Sequence, residues 1–155
     1  METDVTARLI AKIRIEGLFG LYTYSIPAEG DLANAAILYG DNGVGKSTVL
    51  RLAFHLLSSA DNRGHRSALY QAQFSKLEVT LTSGVNLIAK VIETSPSKLL
   101  SLEVEQGDKV RAVWEYRPRS ERGFWEGEEQ IYLEVNKRGE QIVRRRTAAP
   151  SRQKI

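Results

Sequence analysis

The sequence predicts an α/β fold in which a strand–loop–helix unit is joined to an antiparallel β-region. Three observations lead to it. Two short runs of alternating apolar and polar residues occupy positions 11–16 and 22–26. A glycine-rich stretch at 40–48 stands between a continuous apolar run and a helical apolar pattern. Four more alternating runs then follow from residue 74, separated by turn residues.

Each element has its own signal. Ala11, Ile13 and Ile15 alternate with Lys12, Arg14 and Glu16, the period of a half-buried strand, and Gly17 and Gly20 break the run. Tyr22, Tyr24 and Ile26 alternate with Thr23 and Ser25 up to Pro27, so the first two strands predict an antiparallel hairpin or bent ribbon. Residues 35–39, Ala-Ala-Ile-Leu-Tyr, are continuously apolar, as in a strand covered on both faces. Val49, Leu50, Leu52, Ala53, Leu56 and Leu57 recur at helical spacing and predict a helix of about three turns, from Lys46 to near Ser58. Residues 61–64, Asp-Asn-Arg-Gly, end it, and no later helix is predicted. Residues 74–81, 85–92, 99–105 and 109–116 read as a meander through turns at Ser83-Gly84, Ser95-Pro96 and Gly107-Asp108. A polar loop at 117–127 carries Phe124 and Trp125, and residues 131–135 and 141–143 predict a last hairpin.

Composition bounds the rest. With 155 residues and 42% hydrophobic side chains, the chain is long enough to bury one core. It contains no cysteine, which excludes a disulfide framework and a Cys-based zinc site and makes a reducing, cytoplasmic setting the expectation. No apolar run approaches the roughly 20 residues of a membrane helix, and residues 1–7 lack the pattern of a secretory signal, so no membrane partner is expected. The net charge of +3 is uneven: residues 137–155 carry seven basic residues and one acid, a local +6, which leaves −3 on residues 1–136. The organisation read from this is a lobe over 1–136, with strands, loop and helix in 8–60 and the β-region in 70–136, and a basic hairpin or tail over 137–155.

The chemistry concentrates at residues 40–47, Gly-Asp-Asn-Gly-Val-Gly-Lys-Ser, which satisfy the P-loop pattern G-x-x-x-x-G-K-[ST] at a strand-to-helix junction. Glycine permits backbone conformations closed to other residues, so successive N–H groups can turn inward around a phosphate. The helix N-terminus adds unpaired amides and a positive dipole end. The expected nucleotide-binding residues are Gly40, Asn42, Gly43, Val44, Gly45, Lys46, Ser47 and Thr48. Lys46 is expected to reach the β- and γ-phosphates, Ser47 to ligate Mg²⁺, and Thr48 to lie near the α-phosphate of ATP. Close packing alone can also call for glycines at such a turn, but it gives no reason for Lys-Ser-Thr to follow.

The wording of residues 40–48, with Asn42 before the second glycine, resembles the P-loop of ABC-type ATPase heads of the SMC, RecF and OLD-like group. An opening strand like residues 13–19, a second strand, and an antiparallel region after the P-loop helix match the same group. The resemblance covers residues 8–60 well and 70–116 in outline. It implies an incomplete P-loop NTPase head, similar to the N-terminal lobe, that binds MgATP and hydrolyses it when two heads clamp nucleotide between them. A homodimer or higher oligomer, an effector protein, and a role in DNA repair or phage defence are what such ATPases imply. No Asp-Glu pair of a Walker B strand, no Ser-Gly-Gly signature turn and no switch histidine follows, so no catalytic residue is assigned. From the same resemblance, Tyr22 and Tyr24 occupy a strand that can supply an adenine platform, and Arg63 corresponds to an arginine that touches phosphates. Both tyrosines also suit ordinary cross-strand packing.

Other readings stay open. A sensing or scaffold module would bind ATP without turnover. Small GTPases share the P-loop wording, but two strands precede this one, and Asn136-Lys-Arg-Gly139 lacks the aspartate that reads guanine. Gln71, Gln73 and Gln130 are the candidates for a glutamine that positions Mg²⁺ and water. His55 and His65 have no carboxylate at ligand spacing and predict no metal site. Lys137, Arg138, Arg144, Arg145, Arg146, Arg152 and Lys154 could contact nucleic acid phosphates, or form a basic exposed edge.

Overall fold

The structure is a computed structural model that describes residues 9–32, 35–61, 63–94, 97–116, 129–135 and 141–147. Alternation places the strands: β1 (Ile10–Leu18), β2 (Tyr22–Ile26), β3 (Lys76–Leu81), β4 (Val85–Thr94), β5 (Ser97–Gln106), β6 (Lys109–Tyr116), β7 (Glu129–Val135) and β8 (Gln141–Thr147). They form one sheet in the order β2-β1-β3-β4-β5-β6-β7-β8, antiparallel at every step. Within the basic C-terminal stretch, Gln141–Thr147 form the eighth strand, paired along β7.

Register shows why the sheet has one buried face. Tyr24 lies opposite Ile15, Ile15 opposite Leu77, Leu77 opposite Ala89, Ala89 opposite Leu102, and Leu102 opposite Trp114. This row and its neighbour through Ile13 and Val79 face two helices, α1 (Lys46–Leu57) and α2 (His65–Gln71). Val49, Leu52, Ala53 and Leu56 of α1 and Leu69 of α2 close the core over Ile15, Leu77, Ala89 and Leu100. Helices on one face of an antiparallel sheet make a two-layer α/β domain. Charged residues from the strands form ion pairs, Lys90 with Glu103 at 2.8 Å and Lys76 with Glu78 at 2.9 Å.

Two elements differ from expectation. Residues 35–39 are not a covered strand: no regular structure is assigned there, and Ile37 and Tyr39 are 75% and 86% exposed. The described residues give this apolar run no strand to pair with. A second helix exists where none was predicted. α2 is short and preceded by a 3₁₀ turn at Ser59–Asp61, and its place depends on burying Leu69 and Arg66, whose Nε donates to the Ser59 carbonyl at 2.8 Å.

Candidate phosphate-binding loop

The loop over residues 40–45 leads directly into α1. Gly40, Gly43 and Gly45 have φ of 150°, 88° and 96°, in the region that favours glycine. At Gly45 space is limiting as well: a Cβ there would lie 2.6 Å from Cδ2 of Leu18 and 3.2 Å from Cε2 of Phe19. The bend between β1 and β2 therefore rests on the loop, and only a glycine lets it come that close.

Lys46 opens the helix, and its ammonium is turned back on the loop, donating to the Gly40 carbonyl at 2.5 Å and the Asp41 carbonyl at 2.7 Å. No side chain caps the N-terminus of α1, and no acid occupies its first turn. Its leading amides are thus left for another acceptor, next to a cation, which is an arrangement for an anion. Ser47 is exposed in the first turn, Thr48 is half-buried, and Asn42 is exposed at the loop tip.

The tyrosines pack against each other and against the loop. The Tyr24 hydroxyl donates to the Val44 carbonyl at 2.8 Å, and its ring stacks on Tyr22 at 5.8 Å between centroids. Tyr24 is thereby a strut that ties β2 to the loop. It borders a cavity of about 160 Å³, together with Tyr39 and Lys46. A larger cleft of about 470 Å³ opens on the other side of α1, bounded by Phe19, Thr48 and Arg51 among others.

Two histidines ten residues apart in sequence meet where α2 crosses α1. Their Nδ1 atoms are 3.1 Å apart and Phe54 flanks both rings. A centroid separation of 5.4 Å is close to the longest a 3.1 Å contact between ring nitrogens allows, so the nitrogens point at each other. That is the head-on geometry of one shared proton, and not the convergent geometry of two ligands on an ion. Burial first, then His65 and Arg51, lowers the pKa of His55 from its ordinary value. Among the described residues no three His, Asp or Glu side chains gather into a metal-holding group.

The remaining sequence candidates scatter. Arg63 is exposed two residues before His65, so the chain carrying it meets α1 at its C-terminal half, about 13 Å along the helix from Lys46. Gln71 and Gln73 border the large cleft, whereas Gln130 sits in β7 opposite Trp114. Arg144, Arg145 and Arg146 lie in β8, while Lys137, Arg138, Arg152, Lys154 and the 117–127 loop with Phe124 and Trp125 lie outside the described residues. No described helix is long and apolar enough to cross a membrane. In comparisons with known proteins, no family model matches the chain, and neither a curated protein nor a solved structure does.

Proposed function

We propose that residues 40–48 bind the phosphates of a purine nucleoside triphosphate, ATP with Mg²⁺, as the nucleotide-binding part of an ATPase resembling ABC and SMC-like heads. The observation that carries this reading is the uncapped, acid-free N-terminus of α1 behind three left-handed glycines, with Lys46 at its first position. Amides, dipole and ammonium all favour the same guest, a polyphosphate. In the free protein the Lys46 ammonium uses two loop carbonyls as stand-ins for phosphate oxygens. Binding exchanges those bonds for stronger charge-assisted ones to the β- and γ-phosphates. Ser47 offers one exposed hydroxyl, which suits Mg²⁺, an ion that keeps several waters and takes its other ligands from phosphate.

Turnover requires a group to activate water, and the only acid in residues 40–48 is Asp41. On this reading, hydrolysis in a closed head dimer, and through it control of an effector protein or nucleic acid, depends on groups beyond those in the loop. The alternative, a sensor that binds ATP without hydrolysing it, is favoured by the same shortage of carboxylates. Titration calorimetry with MgATP separates binding from no binding. Lys46→Ala is expected to weaken affinity about 10- to 100-fold, the loss of one charged contact. Phosphate release that depends on Lys46 then distinguishes the ATPase from the sensor.

A further inference from the structure

The geometry points to the cleft on the Phe19 side of α1 as the seat of the nucleotide's base, with Phe19 as its stacking face and Gln71 and Gln73 as its polar readers. The inference rests on the phosphate-binding reading of residues 40–48 and extends it to the nucleoside.

Triphosphate polarity decides the side. Lys46 takes the β- and γ-phosphates, so the α-phosphate and the ribose attached to it leave toward Thr48. Thr48 borders the cleft of about 470 Å³, whereas Lys46 and Tyr39 border the cavity of about 160 Å³. Small-molecule sites run from about 300 to 1,000 Å³, so the first can house a nucleoside and the second cannot. Thr48, Arg51 and His55 follow one another at spacings of three and four on α1, forming one polar stripe along the cleft.

Phe19 is the unusual wall. It is the one non-glycine residue with positive φ among the described residues, at 55°, a conformation costly for a bulky side chain. The turn holds it there through its N–H, which donates to the Gln73 carbonyl at 2.9 Å. The two residues are therefore neighbours through their backbones, with Phe19 38% exposed and Gln73 exposed. A glutamine carboxamide pairs with N6 and N7 of adenine through one acceptor and one donor. The Tyr24 ring already has one face stacked on Tyr22 and its hydroxyl bound to Val44, and it borders the smaller cavity.

Calorimetry on the full chain with two probes, MgATP and Mg-tripolyphosphate, tests this. Phe19→Ala is expected to weaken MgATP about tenfold, the usual worth of one stacked base, and to leave Mg-tripolyphosphate within twofold. Phe19→Trp is expected to retain MgATP affinity, and Gln73→Ala to erode any preference for ATP over GTP. Tyr39→Ala, across on the smaller cavity, should change neither probe. Intact tripolyphosphate binding by each variant shows that the loop is folded. If the unmodified protein binds no tripolyphosphate, the phosphate reading fails and the base site falls with it. If it binds tripolyphosphate but Phe19→Ala leaves MgATP untouched, or Tyr39→Ala weakens it instead, the base site alone is overturned.

Discussion

Gly45 joins three demands at one residue: a left-handed backbone, contact with Leu18 and Phe19, and the start of α1. Alanine there must pay a conformational penalty and push into Leu18, which is fully buried. Gly45→Ala is expected to cost about 1–3 kcal/mol, read as a lower midpoint of urea or thermal unfolding. An unchanged midpoint would contradict the packing described. The glycine spacing made this position visible in the sequence, because both backbone conformation and close packing call for glycine at such a strand-to-helix turn. Tyr24 was not legible in the same way. An aromatic on a strand fits a platform, a core contact or a strut equally well, and only the 2.8 Å bond to Val44, twenty residues away, distinguishes them.

At the level of elements, α1 and α2 are held together in part by the histidine pair, and this makes their junction sensitive to acid. Burial, His65 and Arg51 hold His55 below its ordinary value of 6.5. The unfolded chain therefore takes up a proton that the folded chain refuses. Stability from this site is complete above about pH 6.5 and declines as pH falls below it, until the folded-state value is passed. Urea midpoints between pH 7 and about 5.5 should fall, and His55→Gln should flatten that fall. The pairing escaped sequence reasoning because it depends on how two helices cross. α2 itself escaped because seven residues with one fully buried leucine have almost no amphipathic signal, and a helix that short exists only through tertiary contacts. Gly64 just before it was the available hint. Residues 35–39 failed for the opposite reason. An apolar run states a preference for cover, and nothing in a single run says whether a neighbour is there to provide it.

Across the whole molecule the sheet was the most legible part, since a period of two leaves little choice of face once turns are marked. Lys109–Tyr116 and Tyr22–Ile26 coincide with the runs read from sequence, and the β7 and β8 hairpin was expected, though β8 extends to Thr147. The order of strands was harder, because β3 pairs with β1 and not with β2. Glu16 stands opposite Lys76, so the chain from Gly17 to Ser75, with β2, the loop and both helices, is one long connection that the β1–β3 pairing must close. Closing it costs roughly 1.5 kcal/mol more entropy than closing a ten-residue hairpin, which makes it the natural late event in folding. A nucleotide bound as proposed would have little to grip until that closure is complete. Stopped-flow measurements should then find refolding rates almost indifferent to MgATP and unfolding slowed by it, so that the ligand governs how long the native state lasts rather than how fast it is reached.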